Sequence, residues 1–190
     1  NGDTPDPNCI INVTMGTINN TTGIEPNNYG NYSNLSTNVI RGNTIPVAIT
    51  FGTGFTYNTN IWVDWNNDGD FDDAGESVYT GESAAPNPST LNASFAVPLG
   101  QPLGARRLRI GSVDSPTYTG GALTPCRTGA YQAFEDYTIN VIDTPPALTI
   151  SGVSTAICSG DTSSNISITS PLNKFYVYYL CPSLGVTHVS

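Results

Sequence analysis

The sequence predicts an all-β protein, built as an antiparallel two-sheet β-sandwich of the jelly-roll or Ig-like kind. Short runs of alternating apolar and polar residues recur along the chain and are separated by Gly, Pro and Asn. A period of two places the apolar side chains of a strand against a core and the polar ones in water. The sequence shows no helical pattern of useful length. Roughly seven to nine strands would account for the runs in the first three quarters of the chain.

The clearest strands are predicted in four places. Residues 44–51 and 91–97 carry Ile, Val, Leu, Ala or Phe at every second position. Leu108 and Ile110 alternate with two arginines, and residues 136–141 alternate in the same way around Tyr137. Glycines at positions 52, 54, 100, 104, 120 and 121 lie between such runs and mark turns.

Two adjacent prolines, at 145 and 146, divide the chain. Consecutive prolines stiffen the backbone and end strand pairing. We therefore assign 1–143 to one sandwich, 144–146 to a linker and 147–190 to a partial second Ig-like domain. This last segment holds strand candidates at 147–153, 165–168 and 175–180, whereas an Ig-like sandwich needs about 100 residues. We expect neighbouring sequence or another subunit to complete it.

Composition restricts the class of protein. Six Lys and Arg stand against fifteen Asp and Glu, which gives a formal net charge of -9. Such a chain lacks the basic patch that nucleic acid or an anionic membrane surface requires, so neither nucleic-acid binding nor membrane insertion is expected. Abundant Asn, Thr and Ser with a single Lys are typical of secreted or surface-exposed β proteins. Because the sequence starts without Met or a signal peptide, we expect a longer precursor.

Four widely spaced cysteines favour disulfide bonds over a metal cluster. The sequence has no Cys-x-x-Cys pair and only one histidine, His188, so a zinc site is poorly supported. In a secreted chain an even number of cysteines favours disulfides, and four cysteines allow three connectivities. The domain division favours Cys9–Cys126 and Cys158–Cys181. The alternative is four buried free thiols.

Acidic side chains are most concentrated in residues 64–76, which read DWNNDGDFDDAGE and hold six of the fifteen acidic residues. Carboxylates held this close repel one another unless a cation compensates them. Asp64, Asn66, Asp68 and Gly69 have the spacing that opens an EF-hand calcium loop. A strand precedes the segment, however, and Gly75 stands where the EF-hand has its closing Glu. We predict a Ca²⁺ loop outside the EF-hand fold, with ligands from Asp64, Asn66, Asp68, Asp70 (through its carbonyl) and Glu76. A solvated Asp-rich turn is the alternative.

Glu135 and Asp136 are adjacent on a predicted strand and therefore face opposite ways. Alternation places Glu135 on the core side with Tyr137, where a carboxylate needs a partner. We predict an ion pair of Glu135 with Arg107 or Arg109 on a neighbouring strand. Completion of the calcium site by Glu135 or Asp136 is the alternative.

Three segments carry a family resemblance: VTMGTINN at 13–20, WVDWNNDGDFDDAGE at 62–76, and LRI at 108–110 leading through Pro125 and Cys126 to FEDY at 134–137. Together they resemble the GEVED domain of secreted and surface proteins of Bacteroidetes-type bacteria, over about residues 9–142. Gln132-Ala-Phe replaces the Gly-Glu-Val that gives the family its name. The tail, with ICSGD at 157–161, resembles the start of a PKD-like or Ig-like repeat.

The resemblance implies a non-catalytic module, exported by type IX secretion and placed beside peptidase, adhesin or other surface domains. A hydrolytic triad would have to use His188, the single histidine, so no enzyme activity is expected. We expect a calcium-stabilised structural or adhesion module, within an extracellular filament or adhesin, whose partners are neighbouring domains or subunits and surface polysaccharide. The alternative is an ancillary spacer or carbohydrate-binding domain of a secreted peptidase or glycosidase. Trp62 and Trp65 could stack on sugar rings or pack in the core.

Overall fold

The computed structural model describes residues 10–52, 55–85, 88–115, 123–144, 149–151 and 167–169. Over these residues the chain is almost entirely β, with one short 3₁₀ turn at Pro26–Asn28. The predicted all-β class is confirmed. The strands are β1 (Asn12–Met15), β2 (Ile18–Thr21), β3 (Tyr29–Ile40), β4 (Thr44–Phe51), β5 (Tyr57–Val63), β6 (Ser77–Glu82), β7 (Ser89–Ala96), β8 (Gly104–Asp114), β9 (Gln132–Ile142), β10 (Thr149–Ser151) and β11 (Ser167–Thr169).

The chain divides into two compact units, Asn1–Asp143 and Thr144–Ser190. The first unit contains a four-stranded sheet in the order β2-β1-β4-β7 and a five-stranded sheet in the order β3-β9-β8-β5-β6. The described ladders in this unit are antiparallel except for β3 and β9, which run parallel with a register shift between Asn31 and Ser36. A parallel pair needs a long connection. Here the chain between the two strands supplies two strands of the four-stranded sheet and three of the five-stranded sheet.

The main core lies between the two sheets. β4 and β7 of one sheet and β8 and β9 of the other point every second side chain inward, as the alternating pattern predicted. Aromatic pairs join parts of this core: Phe51 stacks on Tyr57 with ring centres 4.8 Å apart, and Trp65 tilts against Phe95 at 6.4 Å. The largest fully buried side chains include Phe51, Tyr57, Ile61, Leu108, Ile110, Tyr137 and Ile139.

A second, smaller apolar cluster lies on the other face of the five-stranded sheet. It consists of Trp62, Phe71, Val113, Leu123 and Phe134. The ring of Trp62 stacks on that of Phe134, with centres 6.4 Å apart. Residues outside the strands, including Phe71, thus cover a face that would otherwise meet water. We call this group the outer cluster.

Gly111 of β8 makes room for the outer cluster. A Cβ at this position would lie 2.4 Å from Cε1 of Phe134 and 2.9 Å from Cζ3 of Trp62. We expect Gly111→Ala to destabilise the fold by about 1–3 kcal/mol, because rigid rings must move to admit the methyl group. Denaturant unfolding measures the change. Gly100→Ala is the matched control, since a Cβ there meets nothing within 4 Å. Equal stability of the two variants would contradict the prediction.

The second unit is described at β10 and β11. These strands pair antiparallel, with Ile150 opposite Ile168, and they fall within or overlap two of the three strand candidates of the tail. The third candidate, at 175–180, lies outside the described residues, as do Cys158 and Cys181. Completion of this unit by other sequence or another subunit stays a prediction.

Candidate metal centre: the acidic loop

The loop 64–76 connects β5 to β6, and the sheet holds both of its ends. The amide of Val63 donates to the carbonyl of Glu76 at 2.9 Å, and the amide of Asp64 donates to the carbonyl of Arg107 at 3.0 Å. Two aromatic side chains anchor the loop on opposite faces of the sheet. Trp65 enters the main core and Phe71 enters the outer cluster. The packing of these two apolar side chains thus holds the polar loop against the sheet.

Side-chain carboxylates and one amide shape the loop from within. The amide of Asp68 donates to Asn66 Oδ1 at 3.1 Å, that of Asp70 to Asp68 Oδ1 at 3.2 Å, and that of Asp72 to Asp70 Oδ1 at 3.0 Å. These are successive Asx turns, in which Asn and Asp suit a tight backbone. Gly69 adopts a φ of 101°, so the glycine takes the bend that its position predicted.

An outer group of three carboxylates faces solvent. Oxygens of Asp68, Asp70 and Asp73 all lie within 4.8 Å of one another. Asn66 Nδ2 bridges two of them, donating to Asp68 Oδ2 at 2.8 Å and to Asp73 Oδ2 at 2.7 Å. The pKa of Asp68 is lowered, first by the backbone N–H of Asp70 and then by the Asn66 amide. Asp68 therefore favours the ionised form, which binds cations.

An inner pair of carboxylates, Asp64 and Glu76, is buried, with 3% and 2% of each residue exposed. Glu76 Oε1 accepts from the amide of Trp65 at 2.8 Å, and Asp64 Oδ2 accepts from that of Gly69 at 3.2 Å. The second oxygen of each carboxylate, Asp64 Oδ1 and Glu76 Oε2, has no hydrogen-bond partner within the described part of the chain. Burial raises the pKa of Glu76, and the negative charges of Asp64 and Asp73 raise it further.

The donor set of the loop is compatible with a metal ion. A buried polar atom without a partner costs about 1–3 kcal/mol, and more when it is charged. A positive partner stabilises two such atoms on carboxylates whose charges repel each other. Arg107 Nη2, 4.0 Å from Asp64 Oδ2, supplies part of that charge. The donors are all oxygens, which hard cations such as Ca²⁺ prefer. The metal site stays a prediction, as does the alternative of a solvated Asp-rich turn.

The structure therefore places the predicted ligands in two groups. Asp68 and Asp70 belong to the outer group, Asp64 and Glu76 form the inner pair, and Asn66 bridges the outer carboxylates. Sequence reasoning missed Asp73. A turn at 73–76 places Asp73 beside Asp68 and Asp70. In this turn the amide of Glu76 donates to the Asp73 carbonyl at 3.2 Å, and Gly75 adopts a φ of 91°. The Ala-Gly pair after Asp73 was the available signal.

The predicted ion pair of Glu135 with Arg107 or Arg109 is wrong. Glu135 does face the core, fully buried, but it accepts hydrogen bonds from Tyr137 Oη at 2.7 Å and Thr22 Oγ1 at 2.8 Å. Both arginines alternate with core residues of β8 and therefore point to the opposite face. Arg109 pairs instead with Asp136, its direct neighbour in the β8–β9 register. Comparison of the side chains that face the same side of β8 and β9 would have predicted the pairing of Arg109 with Asp136.

Arg109 and Asp136 form a bidentate ion pair on the face of the five-stranded sheet that carries the outer cluster. Arg109 Nε and Nη2 lie 2.6 and 2.7 Å from the two oxygens of Asp136, which also accepts from Tyr29 Oη at 2.8 Å. Arg109 Nη1 donates to the Pro125 carbonyl at 2.9 Å, and the guanidinium lies 5.1 Å from the centre of the Phe71 ring. Neither Asp136 nor Glu135 belongs to the acidic cluster, so neither completes the candidate metal site.

The remaining site predictions concern cysteines and tryptophans. Cys126 is exposed and forms no disulfide in the structure. Its predicted partner, Cys9, lies outside the described residues, as does the predicted Cys158–Cys181 bond, so both pairings stay predictions. Trp62 and Trp65 are both buried, one in each apolar cluster, and neither can stack on a sugar ring. No helix in the described part of the chain has the length and apolar character of a membrane span.

Comparison with known proteins gives a family match over part of the chain. Residues 58–140 match the family model of the GEVED domain, a range that includes the acidic loop and most of β9. The resemblance is confirmed over these residues, while the segment 13–20 lies before them. A solved structure, described as a family 123 glycoside hydrolase from Clostridium perfringens, is similar at 11% identity with a TM-score of 0.28. The match covers 59% of this chain and 24% of the hydrolase. Comparison with curated proteins gave no match.

Proposed function

We propose that the chain is a calcium-stabilised, non-catalytic structural or adhesion module of a large secreted or cell-surface bacterial protein. The match of residues 58–140 to the family model of the GEVED domain supports this proposal. The observation that carries the proposal is the inner pair: two buried carboxylates, Asp64 and Glu76, each with one oxygen that accepts no hydrogen bond from the described residues. Their position at the ends of the loop makes them the groups through which a bound cation would act on the fold.

Calcium is the cation that the donor set favours. Ca²⁺ takes six to eight oxygen ligands at about 2.3–2.6 Å and tolerates irregular geometry. Asp64, Asn66, Asp68, Asp70 and Glu76, joined by Asp73, supply carboxylate, amide and carbonyl oxygens within one loop of thirteen residues. A bound Ca²⁺ supplies positive charge and does no chemistry. The proposed effect of binding is to hold the loop closed.

A closed loop would matter to the sheet beneath it. Phe71 belongs to the outer cluster, and its ring lies under the guanidinium groups of Arg107 and Arg109, at 4.7 and 5.1 Å. Opening of the loop would withdraw Phe71 and expose Trp62 and Phe134. We therefore propose that calcium couples the acidic loop to the stability of the five-stranded sheet, as suits a module that has to stay folded outside the cell.

GEVED domains are generally found in extracellular proteins. Within that setting we propose type IX export, a place in a filament or adhesin, and neighbouring domains, subunits or surface polysaccharide as partners. The buried tryptophans favour the structural role over sugar binding. Retention on a glycan array, at sites other than Trp62 and Trp65, would favour the alternative of an ancillary carbohydrate-binding domain.

Calcium is expected to raise the thermal midpoint of the protein, and EDTA to lower it. Binding to the folded state alone stabilises by about 2.7 kcal/mol when free Ca²⁺ is 100 times the dissociation constant. Isothermal calorimetry measures the dissociation constant for Ca²⁺, and thermal unfolding measures the midpoint. The double variant D64N/E76Q should lose the calcium response, because it removes the charge of the inner pair.

The matched control is D143N/E82Q, which removes the same charge from two exposed positions outside the loop. It should retain the response of the parent protein. Absence of calorimetric binding in the parent, together with an unchanged midpoint in EDTA, would refute the proposed calcium site.

A further inference from the structure

Arg107 of β8 reaches into the acidic loop. Its Nη2 donates to the carbonyl of Gly69 at 2.5 Å and lies 4.0 Å from Asp64 Oδ2. The guanidinium carbon is 4.7 Å from the centre of the Phe71 ring. The side chain of Arg107 is 36% exposed, whereas that of Asp64 is 5% exposed. One arginine therefore contacts the loop at a backbone carbonyl, an aromatic ring and a buried carboxylate.

The neighbouring arginine has a different role. Arg109 is engaged by both oxygens of Asp136 and by the Pro125 carbonyl, so its charge is already compensated within the sheet. Arg107 forms no such bidentate ion pair with any described carboxylate. Among the described residues its Nε is buried without a hydrogen-bond partner, and Asp64, one member of the inner pair, lies 4.0 Å from its Nη2. The positive charge of Arg107 is thus directed at the loop.

We infer, building on the proposed calcium site, that Arg107 is a built-in counter-ion that competes with calcium for Asp64. Without calcium it offsets the charge of the inner pair and holds the bend at Gly69. With calcium bound it repels the cation and weakens binding. Arg107 therefore sets the affinity of the loop, so that the loop fills only where calcium is plentiful, as it is outside cells.

The electrostatics give the direction of each effect. The guanidinium of Arg107 carries a positive charge that repels a bound cation. Its charge lies near the surface, where the interaction with a second cation is screened by salt over about 10 Å at 0.1 M. Removal of the charge should therefore tighten calcium binding most strongly at low ionic strength. It should also weaken the calcium-free fold, because the inner pair loses its positive neighbour.

The test compares Arg107→Gln with Arg107→Lys and with Arg41→Gln. Glutamine retains a donor for the Gly69 carbonyl but no charge, and lysine keeps the charge. Arg41→Gln is the matched control, since it removes one positive charge whose ion pair is with Asp143. Calorimetry with CaCl₂ at low and high salt measures affinity, and thermal unfolding in EDTA measures the calcium-free fold.

Arg107→Gln is expected to bind Ca²⁺ about tenfold more tightly than the parent at low salt, with a smaller gain at high salt. It should also melt lower than Arg41→Gln in EDTA. Arg107→Lys should stay close to the parent. If the parent binds calcium and Arg107→Gln binds equally or more weakly, the inference is wrong while the proposed function stands. If the parent binds no calcium, both are wrong.

Discussion

Glu135→Gln is expected to stabilise the protein above neutral pH, by up to about 3 kcal/mol. The Glu135 carboxyl is fully buried between the sheets and bonded to Tyr137 and Thr22. Burial is the main cause that raises its pKa from about 4.5 to about 7, and the charge of Glu25 adds to the rise. A rise of this size corresponds to roughly 3 kcal/mol between the two protonation states. Glutamine removes the cost of burying the charge.

The sign of the pH dependence follows from proton linkage. Between about pH 4.5 and pH 7 the folded protein holds a proton on Glu135 that the unfolded chain has released. Stability contributed by this group is therefore complete below pH 4.5 and is lost as the pH rises to about 7. The tyrosines nearby, Tyr137 and Tyr32, have raised pKa values and stay neutral through this window.

Chemical unfolding of the parent and of Glu135→Gln from pH 4 to pH 8.5, both in EDTA, measures the effect. The two proteins should be equally stable at pH 4 and should diverge as the pH rises. Glu82→Gln, which removes an exposed carboxyl from β6, controls for net charge and should show no such divergence. A constant difference between the parent and Glu135→Gln across the range would contradict the assignment.

Asp136→Ala is expected to destabilise the fold by about 3–5 kcal/mol, because it leaves the Arg109 guanidinium without its carboxylate. The Asp136 side chain is 3% exposed and that of Arg109 is 14% exposed, so water replaces the lost partner poorly. The hydroxyl of Tyr29 loses its acceptor as well. Urea unfolding of the variant measures the loss.

A double-mutant cycle separates the pair from its surroundings. Arg109→Ala should also be destabilising, since it leaves Asp136 buried and charged. The double variant should lose clearly less than the sum of the single losses, because neither charge is then left alone. Additive losses would show that the two side chains act independently, against the bonds of 2.6 and 2.7 Å that join them.

The all-β class and the main core follow from local sequence, because a period of two decides which side chains of β4, β7, β8 and β9 are buried. The parallel pairing of β3 with β9 does not follow from it. Residues 29–40 show no strict alternation, and their partner lies far along the chain. Which strands become neighbours is a property of the whole fold, so no short window of sequence contains it.

The acidic loop was predictable in its position and in most of its members, because the spacing of Asp64, Asn66, Asp68 and Gly69 is itself a turn geometry. The division into a buried inner pair and an exposed outer group was not, since it depends on where Trp65 and Phe71 enter the sheet. The partner of Arg109 was predictable in principle. Residues that face the same side of paired strands must be compared together, and that comparison leads to Asp136 and not to Glu135.

The parallel neighbours β3 and β9 also bear on how the chain reaches its fold. Tyr29 meets Phe134, and Ile40 meets Ile142, so the five-stranded sheet can form only after nearly the whole first unit has been synthesised. Contacts between residues so distant in sequence are slow to form, since a long loop must close before they contribute. Until β9 has been synthesised, the backbone N–H and C=O groups of β3 therefore lack their partner strand. Half of the twelve residues of β3 are Asn, Ser or Thr, and such polar side chains disfavour pairing of the strand with other chains: Asn31, Ser33, Asn34, Ser36, Thr37 and Asn38.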